Sequence, residues 1–348
     1  MIGRWRNADI NEQLSGRVDT LEFHSKVLRT NHLGDPPQRP LWIYLPPGYD
    51  READRRYPSI YVLQGYGLRL PAWNEHTRGK PTFIESIDRS FSQHGATRAV
   101  VVFVDGWTRY GGSQFIDSRG TGRYHSYLTD EIVPFVDGRY RTLPASMHRG
   151  IAGHSSGGFG AVVSSALRPD LFGALATHAG DALYEYLYLP EFARATRNLR
   201  PYSGDIWQWW RKYVHKRGPR SPEDENLLMT LGCAACFSPS STGAPTLPFD
   251  PATGVLDERA WRRWLAWDPV RMVKRYAEAL RGTHGVWIGA GTGDEYFLDL
   301  GSTALHETLL GIGVPERSLH FELFEGLHDG NEHRYPVALK WLCERLKS

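Results

Sequence analysis

Short, unbroken apolar runs recur along this chain, each closed by glycine, proline or a polar turn. Ser59-Ile60-Tyr61-Val62-Leu63-Gln64, Ala99-Val100-Val101-Val102-Phe103-Val104, Arg149-Gly150-Ile151-Ala152, Phe172-Gly173-Ala174-Leu175-Ala176-Thr177-His178, Gly285-Val286-Trp287-Ile288-Gly289-Ala290 and His320-Phe321-Glu322-Leu323-Phe324 are such runs. Runs of this length without a regular polar face predict strands, most of them buried on both sides. Between them the spacing becomes helical. Phe83, Ile84, Ile87 and Phe91 recur one turn apart in 81–94, and 124–136, 158–167, 302–310 and 335–346 also read as helices. Pro169 ends one of these, and Gly311-Ile312-Gly313-Val314-Pro315 ends another, by ordinary stop chemistry. Near the start, 18–29 and Pro40-Leu41-Trp42-Ile43-Tyr44-Leu45 read as two strands joined by a loop with one glycine and two prolines. They predict an antiparallel pair at a sheet edge. Strands alternating with helices predict a mostly parallel central sheet with helices on both faces.

The alternation stops after Asp181 and resumes at Gly285. Residues 182–283 therefore read as an insertion, mostly helical, forming a cap within a single 1–348 domain. The insertion holds Trp207, Trp209, Trp210, Trp261, Trp264 and Trp267, with Pro239, Pro245, Pro248 and Pro251 in its loops. Its aromatics are expected partly to line a substrate cleft and mostly, residue by residue, to form the cap's own core.

Composition narrows the partners. A net charge of +2 over 348 residues gives no case for nucleic acid or an anionic membrane surface. The first nine residues lack the apolar stretch of a leader, and no apolar run reaches membrane-spanning length, so a cytoplasmic chain is expected. Cys233 and Cys236 have C-x-x-C spacing but no second ligand pair, which favours two small apolar residues on a helix.

The polar residues of interest fall just after the apolar runs, where ligands sit in a parallel sheet. Gly153-His154-Ser155-Ser156-Gly157 is a G-x-S-x-G pentapeptide between a strand and a helix, the setting of a nucleophile elbow. A serine hydroxyl needs an imidazole to take its proton, and the imidazole needs a carboxylate to fix its tautomer. Ser155, Asp294 and His328 follow in that chain order, with Glu295 the immediate rival to Asp294. The backbone N–H groups of Ser156 and of Tyr66, in Gln64-Gly65-Tyr66-Gly67, are the expected oxyanion donors. Gly65, Trp73 and Asp181 are the expected substrate-binding residues.

These motifs, together with Val104-Asp105-Gly106-Trp107, Glu131-Ile132-Val133-Pro134-Phe135, His178-Ala179-Gly180-Asp181, Gly291-Thr292-Gly293-Asp294-Glu295 and Gly326-Leu327-His328, resemble an α/β-hydrolase of the putative-esterase family from about Pro40 onward. That family includes esterase D, enterochelin esterases and feruloyl esterases. The resemblance implies Ser155 as nucleophile, Asp294 as acid, His328 as base, and a serine carboxylesterase acting on a small-to-medium ester without metal or organic cofactor. Acyl transfer or thioester hydrolysis of the S-formylglutathione hydrolase type is the alternative on the same residues, and a non-catalytic binding module is the alternative of another class. The chain lacks a cysteine by the oxyanion loop, which weakens the S-formylglutathione reading. Tyr66, Trp73 and the tryptophan-rich cap suggest a hydrophobic or aromatic substrate group. The expected partner is a small ester, with a homo-oligomer left open.

Overall fold

The computed structural model describes residues 10–76 and 80–346. The N-terminal stretch read above for a leader lies outside the described residues. The apolar runs become one eight-stranded sheet: β1 Arg17–His24, β2 Gln38–Leu45, β3 Ser59–Leu63, β4 Val100–Val104, β5 Arg149–His154, β6 Ala174–His178, β7 Gly285–Gly291 and β8 Leu319–Phe324. Their spatial order is β1-β2-β4-β3-β5-β6-β7-β8. β1 and β2 pair antiparallel from Arg17 opposite Leu45 to His24 opposite Gln38, and β2 meets β4 antiparallel. The remaining neighbours are parallel.

Burial follows position in this order. Every residue of β3 to β7 is buried, whereas β1 and β8, at the two edges, are only half-buried. Side chains alternate between faces along each strand. Ile60 and Val62 of β3 point with Val101, Phe103 and Ala152 toward α1 Phe83–Phe91 and the C-terminal helix. Tyr61 and Leu63 point with Val102 and Ile151 to the opposite core. α1 begins at Thr82, whose side chain and Glu85 form a reciprocal capping box. The helix expected over 124–136 runs on through a wide turn at Tyr127–Ile132 into α2 Val133–Arg139. α3 Ser156–Leu167 follows β5 directly.

Between β6 and β7 lie α4 Tyr184–Asn198, α5 Ile206–Tyr213, α6 Pro222–Phe237, α7 Glu258–Leu265, α8 Pro269–Arg275 and α9 Ala277–Arg281. α8 and α9 pack back against α3, and α8 also against α10 Leu298–Gly311, covering the sheet as a crossover helix would. The chain closes with α11 Tyr335–Arg345.

Trp209, Trp261 and Trp264 are buried within this helical segment. Trp264 meets Tyr188 and Phe192 edge-on at centroid distances of 5.0 and 5.2 Å, and its Nε1–H donates to Ser238 Oγ at 2.7 Å. Trp209 stacks on Tyr213 and donates to Asp224 at 3.1 Å. These rings are the segment's interior. Cys233 and Cys236 are free, buried thiols on α6. Among the described residues no helix is long and apolar enough to cross a membrane.

Candidate active site

β5 delivers Ser155 into the first turn of α3 with φ 54° and ψ −125°, a left-handed conformation uncommon for a residue with a Cβ. The two flanking glycines explain how the turn closes. A Cβ on Gly153 would lie 2.3 Å from the Gly157 backbone, and a Cβ on Gly157 would lie 2.3 Å from the Leu63 carbonyl oxygen. The Ser155 N–H donates to the His178 carbonyl at 2.9 Å, which ties the turn to the end of β6.

The loops after β7 and β8 are laced together by Thr292 N–H to Phe324 C=O at 2.8 Å and Gly293 N–H to Gly326 C=O at 2.8 Å. This lacing brings Asp294 and His328 together. His328 Nδ1 lies 2.8 Å from Asp294 Oδ2, both side chains being buried. The other oxygen, Oδ1, accepts the Tyr296 N–H at 2.9 Å. Glu295, the rival carboxylate, takes a different partner: its Oε2 accepts the His328 backbone N–H at 3.0 Å. The two acids thus divide the histidine, one holding its ring and the other its main chain.

His154 is a further contact that no spacing rule announced. Its Nε2 lies 3.1 Å from the His328 carbonyl oxygen, and the two rings sit 4.6 Å apart. Burial, and then the neighbouring His328, hold His154 well below its ordinary pKa, so it is a neutral donor. Burial also pulls His328 down, but its hydrogen bond to Asp294 and the charges of Asp294, Asp329 and Asp181 outweigh this and raise it.

Ser155 and His328 border a cavity of about 680 Å³, together with Gly65, Tyr66 and Asp181. Ser156 N–H and Tyr66 N–H have no backbone acceptor among the described residues. The Tyr66 hydroxyl points away into the protein, against the carbonyls of Tyr110 and Leu228, 2.8 Å from the latter. Asp181 Oδ1 stands 3.5 Å from Ser155 Oγ, while Oδ2 accepts the Tyr188 hydroxyl at 3.0 Å and Gln114 Nε2 at 3.5 Å. Burial pushes the Asp181 carboxyl up to about 6. Trp73 lies elsewhere: it packs on Phe83 at 4.9 Å and borders a second cavity of about 480 Å³ with Tyr335 and His333.

The roof comes from α4 and α6 and is mixed: Glu191, Arg194, Asn198 and Asn226 stand beside Leu187, Tyr188, Leu228 and Met229. Among the described residues no tryptophan borders this cavity; of the aromatic rings between β6 and β7, Tyr188 does. His154, His328 and Asp329 each bring one ligand atom within 4.8 Å of one another, and a metal there would have to use His154 Nδ1 and His328 Nε2, the nitrogens their hydrogen bonds leave free. A hydroxyl on a strained turn and a carboxylate-held imidazole at one cavity, with the Tyr66 and Ser156 amides free of backbone acceptors among the described residues, suit acyl transfer chemistry.

The sequence profile described as "Putative esterase" matches residues 36–341. A bifunctional endo-1,4-β-xylanase/feruloyl esterase of Xylanibacter ruminicola is 27% identical over 152 residues, 43% of this chain and 20% of that protein. The chain spans less than a third of the length of this relative and of a Mycobacterium tuberculosis esterase that it also matches. Among solved structures, a ferulic acid esterase superposes with a TM-score of 0.59 at 18% identity, covering 96% of this chain and 100% of the other. An S-formylglutathione hydrolase from Agrobacterium tumefaciens gives 0.54 at 16% identity, covering 96% and 97%. Both share the α/β-hydrolase arrangement of sheet and helices. With the family profile running from just before β2 into α11, this chain belongs to the putative esterase family.

Proposed function

We propose that the chain is a serine carboxylesterase that cleaves a small-to-medium carboxylic ester through an acyl-Ser155 intermediate. Family membership supports ester chemistry, and the observation that carries the assignment to residues is the buried 2.8 Å contact between His328 Nδ1 and Asp294 Oδ2 beside the strained Ser155 turn. Asp294 fixes the tautomer that leaves His328 Nε2 unprotonated. Ser155 Oγ attacks the ester carbon as Nε2 takes its proton, and the carbonyl oxygen turns toward the Tyr66 and Ser156 amides. Nε2 then gives that proton to the departing alcohol oxygen. Water attacks the acyl-serine carbonyl, His328 takes the water's proton and returns it to Ser155 Oγ, and the carboxylic acid leaves.

Acyl transfer to a second alcohol, or cleavage of a thioester, uses the same residues, and product analysis with added alcohol separates transfer from hydrolysis. A non-catalytic binding role is tested by a fluorophosphonate probe with peptide mapping. The esterase reading expects covalent labelling on Ser155 that heat denaturation or Ser155→Ala abolishes. A folded chain whose Ser155 stays unlabelled overturns it.

A further inference from the structure

The proposed steps use the serine, the histidine and one carboxylate, yet a second carboxylate, Asp181, stands within reach of the serine oxygen. We propose that Asp181 is a specificity-determining residue, whose Oδ1 takes a hydroxyl or ammonium group on the substrate carbon next to the ester carbonyl. The inference rests on the esterase reading and names the substrate class for it.

Position comes first. β3 and β6 flank β5 on opposite sides, so the Tyr66 amide and Asp181 face Ser155 from opposite directions. A carbonyl whose oxygen points to Tyr66 turns its carbon substituents toward Asp181. The backbone is bent to place the carboxylate there: Ala179 and Leu183, on either side of it, have φ of 44° and 56°, and Gln114, which reaches it from another loop, has φ of 53°. Strain of this kind persists only where the surroundings enforce it. Here Asp268 does so, accepting the Leu183 N–H at 3.0 Å and the Tyr184 N–H at 3.4 Å.

Hydrogen-bond accounting supplies the ligand. An ionised carboxylate accepts about four hydrogen bonds. Asp181 Oδ2 has Tyr188 and Gln114, whereas among the described residues Oδ1 has only the Ser155 hydroxyl at 3.5 Å. Acylation of Ser155 removes that hydrogen, leaving the buried Oδ1 without a donor from these groups. A hydrocarbon substituent would keep it unpaired, and a hydroxyl or ammonium would pair it.

The test compares three esters of one shape, ethyl lactate, alanine ethyl ester and ethyl isobutyrate, which place OH, NH₃⁺ or CH₃ on the same carbon. Hydrolysis is followed by titration of released acid for the wild-type chain, Asp181→Asn and Asp181→Ala, with fluorophosphonate labelling of Ser155 and circular dichroism alongside. In the wild type, kcat/KM for the lactate or the alanine ester exceeds that for isobutyrate by at least about tenfold. A lactate preference identifies the hydroxyl as the recognised group, and an alanine preference the ammonium. Asp181→Ala brings the ratio toward one, and Asp181→Asn abolishes an ammonium preference while keeping part of a hydroxyl one. A wild-type chain that labels at Ser155 and cleaves isobutyrate as well as both others overturns this inference alone, whether or not the variants fold. A folded wild-type chain that neither labels nor cleaves overturns the esterase reading and this inference with it.

Discussion

His154 and His328 are joined through the main chain: the neutral imidazole of the residue before the serine donates its Nε2–H to the carbonyl oxygen of His328 at 3.1 Å. The turn that carries the proposed nucleophile therefore also holds the loop that carries the proposed base. His154→Ala removes this grip without deleting any reacting atom, and frees the His328 loop to shift. A displacement of about 1 Å can cost on the order of a hundredfold in rate. Steady-state kinetics of His154→Ala are expected to show kcat down ten- to a hundredfold with KM little changed, and His154→Gln, which keeps a donor, is expected to recover part of the loss.

The two neighbouring carboxylates have separable effects. Asp294→Asn leaves shape intact but withdraws the charge and tautomer control from His328 Nδ1, and kcat is expected to fall by roughly 10⁴-fold. Glu295→Gln still offers an amide oxygen to the His328 N–H, so its loss stays below about tenfold. Equal losses in the two variants would contradict the division of labour.

The pH profile follows from the charges around His328. Burial lowers its pKa, yet the Asp294 hydrogen bond and the charges of Asp294, Asp329 and Asp181 leave it raised. Because the base must be neutral, kcat/KM falls as pH drops, with the midpoint of the acid limb above about 6.5. Asp181→Asn removes one of the charges that stabilise the imidazolium, so the His328 pKa drops and the midpoint moves to lower pH. A midpoint that stays or moves up would contradict this electrostatic picture.

Stability of the oxyanion loop depends on Tyr66, whose hydroxyl reaches the Leu228 carbonyl of α6. Tyr66→Phe strips that donor from buried carbonyls and is expected to cost about 1–3 kcal/mol. Gly232→Ala forces a Cβ to 2.0 Å from the same hydroxyl oxygen and 2.5 Å from the Tyr110 carbonyl oxygen, and its cost is about as large or larger. Thermal unfolding should show both variants melting lower than the wild-type chain, and unchanged melting of Gly232→Ala would contradict the packing described.

The positions of the strands were readable because β3 to β7 are buried on both faces, which makes each a continuous apolar run that periodicity detects directly, whereas their spatial order was not. Ser155, Asp294 and His328, the proposed catalytic residues, follow the ends of those strands, since parallel topology gathers such ends on one edge. What the sequence did not disclose is set by tertiary packing. His154 and Glu295 act through backbone atoms of a loop 174 and 33 residues away, and no local pattern encodes such a contact. Of the tryptophans of 182–283, Trp209, Trp261 and Trp264 form the interior of their own segment, as expected for most of them, and none of the six borders the cavity. Tyr66 and Trp73 likewise spend their rings on packing, the first against Gly232 and the second against Phe83.

The central claim is that an ester's acyl group passes onto Ser155. Rapid quenching of the wild-type chain during turnover of a p-nitrophenyl ester, followed by mass spectrometry of the peptide between Arg149 and Arg168, tests it most directly. The expected result is that peptide carrying the acyl mass on Ser155, decaying as the carboxylic acid appears, and absent in Ser155→Ala together with turnover. Turnover that persists in Ser155→Ala, or that proceeds in the wild type with the acyl group found on another residue, would contradict it.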